Sequence, residues 1–244
     1  MNTESRKVKK LQELLEQSRF TLVVSGAGIS TASGIPDMHG LNLKDTMQFV
    51  STGLLQKAPK HYYEIARRSF LDAMYSPEHG PSFAHHKLAD MEKEGRIGGI
   101  ITTNLDTLHE LAGSEKVADI QGSFKENVCL SCGKRVDELK AWSHGEVPRC
   151  ECGGCLASWP VYSHVALLPE AADQAREWAQ QADLVLLIGA AGNYGGVWFS
   201  SLSPDVTIVQ INPKSTQFDS VAALNIRQPA DQVFAQLDAL DKAA

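Results

Sequence analysis

Residues 21–37 read TLVVSGAGISTASGIPD, a run of β-formers that breaks into a glycine-rich turn and then restarts polar. A strand feeding such a turn constrains the chain more than any other segment, because it reads as the entry to a phosphate-binding loop. Gly26 and Gly28 carry no Cβ, so the backbone can turn sharply and its N–H groups can approach an anion. Ser30 and Thr31 can then cap the following turn and donate hydroxyl hydrogen bonds to a phosphate or a ribose. The spacing is Gly-x-Gly-x-x-x-x-x-Gly, ending at Gly34, and differs from the Gly-x-Gly-x-x-Gly dinucleotide fingerprint. Taken alone, the loop also fits an ordinary strand-to-helix turn.

The rest of the chain alternates. Val8, Leu11, Leu14 and Leu15 form an apolar stripe on an opening helix, and Val233, Phe234, Leu237 and Leu240 form another at the close. Strands are expected at 21–25, 98–102, 118–121, 161–168, 183–188 and 205–211. Short apolar runs such as DLVLLIG and VTIVQIN suit a parallel sheet covered on both faces. The expected fold class is therefore α/β, a doubly wound, Rossmann-like parallel sheet. Two segments break the alternation: a helical insert at 41–80 and a cysteine-bearing module at 124–160. Residues 1–40, 81–123 and 161–244 would then make up the main domain. In such sheets the ligand lies at the carboxyl ends of the strands, where the loops at 26–40, 103–113 and 189–196 begin. Asn104, Asp106 and Gln121 would project there.

Composition limits the function classes. The 244 residues can bury a sizeable core. A net charge of −6, from 23 basic and 29 acidic residues, gives no electrostatic case for nucleic acid or an anionic membrane. The basic N-terminus lacks the apolar stretch of a secretory signal, and no apolar run approaches membrane-spanning length. A cytoplasmic protein is expected.

All five cysteines fall between Cys129 and Cys155, as Cys129-x2-Cys132, seventeen residues, then Cys150-x-Cys152-x2-Cys155. Four thiolates from two such turns suit tetrahedral zinc. An odd number and no sign of export argue against disulfides. Four of Cys129, Cys132, Cys150, Cys152 and Cys155 are expected to hold a structural zinc ion. Spacing favours Cys152 with Cys155 as the second pair, whereas the local text VPRCECGG favours Cys150 with Cys152.

GAGISTASGIPD, TNLDTLHELAG, ADIQGS, the cysteines and the later IGAAG and QIN segments, taken together, resemble the sirtuins from about residue 8 to residue 240. Sirtuins are NAD-dependent enzymes that release nicotinamide and transfer ADP-ribose to an acyl-lysine oxygen or, in some members, another acceptor. The resemblance implies NAD as cofactor and a protein or acyl-lysine peptide as partner. It implies a cofactor loop of Gly26, Ala27, Gly28, Ser30, Ser33, Gly34, Ile35, Pro36 and Asp37, with Met38 where the family's FRG begins. The family's QNID becomes Thr103-Asn104-Leu105-Asp106. Its GTS ribose turn becomes Gly189-Ala190-Ala191, and its adenosine-side asparagine is Asn212.

The departures lie on the reacting side. The FRG motif is Met38-His39-Gly40, so the guanidinium is gone. The HGS motif, whose histidine acts as general base in the family, is Gln121-Gly122-Ser123. The peptide-pairing VxFGE strand resembles Val165–Glu170, where Pro169 lacks an N–H and would weaken strand addition. Asn193 and Tyr194 differ from the family's other peptide-facing edge.

The resemblance implies that Asn104 and Asp106 hold the nicotinamide end and ribose while an oxocarbenium-like centre forms. A glutamine amide cannot take the later proton, although it can hydrogen-bond a hydroxyl. Losing a positioned base costs about 10²–10⁴ in rate. His39 is the substitute base to consider; His109 is expected to pack or cap behind the site. The reading is an NAD-dependent transferase with weak or altered lysine deacylation. A deacylase of unusual acyl preference and a non-catalytic NAD or ADP-ribose binder are the alternatives.

Overall fold

The computed structural model describes residues 3–37, 52–68, 80–123, 126–137, 147–158, 167–192 and 198–243. Its organisation follows from period-two burial in short strands. Every residue of β1, Thr21–Ser25, is buried, but Val23 enters one core while Leu22 and Val24 enter another. Further along the chain Leu186 and Ile188 join the first core, and Val185 and Leu187 the second. A strand apolar on both faces needs cover on both, which is the condition for an all-parallel sheet.

That sheet has six strands, all paired in parallel: β1, β2 (Gly99–Thr102), β3 (Val117–Asp119), β7 (Leu184–Ile188), β8 (Thr207–Ile211) and β9 (Leu224–Ile226). Their order is β3-β2-β1-β7-β8-β9, so the winding reverses between β1 and β7. Val23 pairs with Ile100 on one side and Leu186 on the other. The reversal leaves a crevice beyond the carboxyl ends of β1 and β7.

Helix α1 (Thr3–Gln17) buries Val8, Leu11 and Leu15 on the first face, with Leu14 partly buried against the same core. The closing helix, Ala230–Asp241, adds Val233, Phe234 and Leu237 beside it. On the opposite face, the helix Pro169–Gln181 presents Ala172, Ala175 and Ala179, small enough to lie close on the strands. Trp198 and Phe218 fill out that layer.

Five of the expected strands are present, shortened by one or two residues at some ends, and β3 begins one residue earlier than expected. The sixth, 161–168, is not seen where it can be judged. Residues 161–166 lie outside the described residues, Leu168 is a helix N-cap, and Pro169 is the first helical position. A first-turn proline has no intrahelical partner to lose, so it costs nothing there. The sequence-based argument that Pro169 weakens a pairing strand is therefore replaced by a helix start. Strand β9 was not anticipated, because three residues carry too little alternation to stand out.

The cysteine region forms its own antiparallel sheet of β4 (Glu126–Cys129), β5 (Arg135–Asp137) and β6 (Leu156–Ser158), in the order β5-β4-β6. Helices α2 (Thr52–Lys57) and α3 (Pro59–Ala66) pack on it. Leu55, Tyr62, Tyr63 and Ala66 share one small core with Ala157, and the Tyr63 hydroxyl donates to the Leu156 carbonyl. Tyr62 and Tyr63 are thus core residues. Phe49 and Phe70 lie outside the described residues. Leu105, from the loop after β2, packs against the same core.

Candidate functional site

Two loops leave adjacent strands and meet at the reversal point. The first leaves β1 as a 3₁₀ turn, Ala27–Ser33, closed by Gly34 at φ 82°. Its glycines do something other than the sequence suggested. The N–H groups of Gly26 and Gly28 bond the carbonyls of Ile188 and Gly189, and Ile29 bonds back to Gly26. A Cβ on Gly28 would stand 2.7 Å from the Gly189 Cα, and one on Gly189, at φ 60°, would stand 2.4 Å from the Ile29 nitrogen. These glycines let the β1 and β7 loops press backbone to backbone, and their donors are already used.

The hydroxyls are also taken up within the loops. Thr31 Oγ1 donates to the Gly28 carbonyl at 2.9 Å, and Ser30 Oγ to Asp106 Oδ2 at 2.6 Å. Asn104, 7% exposed, donates its amide to the Gly26 carbonyl and to Ser30 Oγ, each at 3.3 Å. Asn104, Ser30 and Asp106 thus form one directed chain across the two loops. Asp106 Oδ1 also accepts the Leu108 N–H at 3.1 Å. Burial raises the Asp106 carboxyl above its ordinary range, against the opposing pull of the Ser30 hydroxyl and the Leu108 N–H.

Thr107 follows at φ 57°, the one described non-glycine residue in the left-handed region, and caps the short helix Leu108–Ala112. A strained threonine beside an acid in a crevice is a mark of a functional loop. Nothing in the sequence signals it, because threonine has no preference for that conformation. Behind the loop, Thr103 donates its N–H to the Ser25 carbonyl at 3.3 Å. His109 is buried at the base of the site, with Nε2 2.8 Å from Ser25 Oγ.

Gln121 is half-buried in the turn after β3, which Gly122 closes on Asp119 at φ 74°. On the other flank, Gly189 follows β7, Ala190 is buried, and Asn212 follows β8. Asn212 donates to the Ala190 carbonyl at 3.4 Å and accepts the Lys214 N–H at 3.0 Å. Pro36 and Asp37 end the first described segment, half-buried. Met38, His39, Asn193, Tyr194, Val165 and Ala166 lie outside the described residues.

Four thiols converge on the side module. The sulfurs of Cys129, Cys132, Cys150 and Cys152 all lie within 4.8 Å of one another, with Cys129–Cys152 at 3.5 Å and Cys132–Cys150 at 3.8 Å. Tetrahedral zinc with 2.3 Å bonds requires sulfur–sulfur edges of about 3.8 Å, so the donor set fits that ion. Backbone N–H groups of Cys132 and Ser131 hold the Cys129 thiol down to about 6, close to the thiolate a metal needs. The Gly154 N–H favours the Cys152 thiolate, yet the sulfurs of Cys129, Cys132 and Cys150 together with burial outweigh it and push Cys152 up to about 12. A divalent cation among the four would relieve that repulsion. Cys155 stays outside the cluster, next to Arg149 Nη1 at 3.8 Å. Of the two sequence-based pairings, the geometry gathers Cys150 with Cys152.

These features define a Rossmann-like α/β protein with a polar crevice at its reversal point and a four-cysteine module alongside. Comparison with known proteins narrows the class. The Sir2 family model matches residues 26–194. NAD-dependent protein deacetylase 2 of Caldanaerobacter subterraneus subsp. tengcongensis is 38% identical over 232 residues, covering 91% of each chain. The NAD-dependent protein deacetylase of Sulfurisphaera tokodaii is 33% identical over 245 residues, again covering 91% of each. Among solved structures, Sir2Tm bound to a propionylated peptide superposes with a TM-score of 0.82 at 27% identity, covering 98% of this chain and all of that one. A Sir2–p53 peptide–NAD+ complex gives 0.81 at 27% identity, covering 97% and 99%. The chain belongs to the Sir2 family.

Proposed function

We propose that this chain is a cytoplasmic NAD-dependent protein-modifying transferase that releases nicotinamide from NAD and passes ADP-ribose to a protein acceptor, with weak or altered lysine deacylation. The observation that carries the reading is the split between the two sides of the crevice. Asn104, Ser30 and Asp106 form a connected polar chain on the nucleotide side. At the position after β3 where a general base would act stands Gln121, which has no proton-accepting nitrogen.

In this reading Gly26, Ala27, Gly28, Ser30, Pro36, Asp37 and Met38 line the NAD-facing loop, with Thr103, Gly189, Ala190 and Asn212 completing the nucleotide side. Asn104 and Asp106 orient the nicotinamide–ribose end, where the ionised carboxylate stabilises developing positive charge. Gln121 hydrogen-bonds a ribose hydroxyl, and His39 is the candidate to take its proton. Residues 1–40, 81–123 and 161–244 make up the NAD-binding domain, 41–80 the helical insert and 124–160 the zinc module. Zinc held by Cys129, Cys132, Cys150 and Cys152 would act structurally, because four thiolates leave no open position.

A second reading, lysine deacylation with an unusual acyl preference, is favoured by the relatives, which are named deacetylases. Mass spectrometry of NAD products separates the two. Protein is incubated with NAD, a panel of acylated peptides and candidate acceptor proteins. Nicotinamide together with an ADP-ribosylated acceptor is the expected result. Efficient loss of an acyl group would establish the second reading, and binding of NAD with no nicotinamide from any acceptor would leave a non-catalytic module.

A further inference from the structure

The two loops that meet at the reversal point have spent most of their hydrogen-bond donors on one another. The N–H groups of Gly26 and Gly28 bond the carbonyls of Ile188 and Gly189. Ser25, Ser30 and Thr31 direct their hydroxyls to Thr102, Asp106 and the Gly28 carbonyl. Two hydroxyls are left over. Ser33 Oγ and Thr107 Oγ1 are buried, on residues only 6% and 5% exposed, and have no hydrogen-bond partner among the described residues.

Both belong to the same seam. Side chains three apart on a 3₁₀ turn eclipse one another, so Ser33 stands on the same edge of Ala27–Ser33 as Ser30. Ser30 bonds Asp106 across the seam, and Thr107 is the next residue. Asp106 Oδ1 accepts the Leu108 N–H at 3.1 Å, closing a turn with Thr107 at its middle.

Both hydroxyls burden the ligand-free protein. A buried hydroxyl without a partner forfeits the bonds it would make with water. Thr107 adds the strain of φ 57°, which its branched Cβ resists and a glycine would accept. Alanine at position 33 and glycine at position 107 would remove these costs. Such groups, side by side at a crevice, point to a partner that arrives with the ligand.

We propose that Ser33 and Thr107 are ligand-binding residues, whose hydroxyls donate to oxygens of the ribose held beside Asp106 in the bound dinucleotide. An ionised carboxylate can only accept hydrogen bonds, and the two hydroxyls supply the donors it lacks. This role rests on the NAD reading of the crevice, and not on release of nicotinamide.

Calorimetry on the full chain tests it with two ligands: ADP-ribose, which carries that ribose, and ADP, which lacks it. Ser33→Ala and Thr107→Gly should each weaken ADP-ribose about three- to tenfold, the worth of one net hydrogen bond, and ADP by less than about twofold. Thr107→Ser keeps the hydroxyl and should bind ADP-ribose within about twofold of the native chain. Without ligand, both deletion variants should melt no lower than the native protein, because neither loses a bond. Lower melting with unchanged ADP-ribose affinity is the result of a hydroxyl that only braces the fold, and would overturn the proposal. Unchanged affinity in either folded deletion variant would overturn it too, as would equal weakening of ADP. If Thr107→Gly does not fold, the isosteric Thr107→Val and Ser33→Ala decide. A native chain that binds no ADP-ribose would refute the NAD reading and this role together, whereas binding without nicotinamide release would count against the transferase reading alone.

Discussion

Ser30 Oγ donates to Asp106 Oδ2 across 2.6 Å, joining a residue of the β1 loop to one of the β2 loop. The contact does more than tie two segments together. It is one of the bonds that oppose the rise in the Asp106 carboxyl caused by burial, and so helps keep the acid ionised.

Ser30→Ala should therefore move the acid limb of nicotinamide release to higher pH. Asp106 without its hydroxyl donor takes up a proton earlier as pH falls, and the neutral acid cannot stabilise positive charge. Asp106→Asn removes the charge at every pH and should lower release about 10²–10³-fold with little acid limb left. Rates measured as nicotinamide released against pH check both.

Gln121→His should raise lysine deacylation by about 10²–10⁴-fold, the usual worth of a positioned base. Nicotinamide release with a non-acyl acceptor should change far less, because the base acts after the pyridine has left. A gain below threefold in deacylation would favour a native enzyme that already manages without an imidazole there.

Purified protein should carry about one zinc per chain, the stoichiometry of a closed four-thiolate site. Cys132→Ser and Cys150→Ser should lose it, whereas Cys155→Ser should retain it, since only Cys155 lies outside the sulfur cluster. Metal content by plasma mass spectrometry, with thermal melts of each variant, gives the answer.

Asp183 offers a pH-dependent clamp in the main sheet. It directly precedes β7 and accepts Ser18 Oγ at 2.6 Å, the N–H groups of Arg19 and Phe20, and the Arg19 guanidinium. Burial works against its charge, but these donors win and hold it down to about 2. A lowered acid contributes its stability above the unfolded value near 3.9 and loses it as pH falls toward 2. Asp183→Ala should cost about 1–2 kcal/mol at pH 7 after solvent screening. The gap should close between pH 4 and pH 2 in denaturant titrations.

The sheet was largely legible because its strands are apolar runs separated by helical periodicity, and that pattern survives in one dimension. DLVLLIG and VTIVQIN lie where expected, as β7 and β8. Leu224–Ile226 was not, since three residues on an edge repeat nothing. The cysteine spacing announced a metal module, yet choosing among Cys150, Cys152 and Cys155 needed the positions of their sulfurs in space. Least legible were the roles of the loop residues. Gly28 looked like an anion donor, but its N–H is taken by Gly189, a partner 161 positions away that no local pattern reveals. His109 showed only as a lone histidine; its link to Ser25 and proximity to His85 exist only once three elements have packed.

Leu105 stands between Asn104 and Asp106 in sequence, but its side chain rests among the tyrosines that brace the four-sulfur module. The crevice floor is therefore hinged on a neighbour with its own chemistry. Oxidants or chelators acting on the thiol cluster should therefore weaken nicotinamide release without entering the crevice, through the footing they take from Leu105.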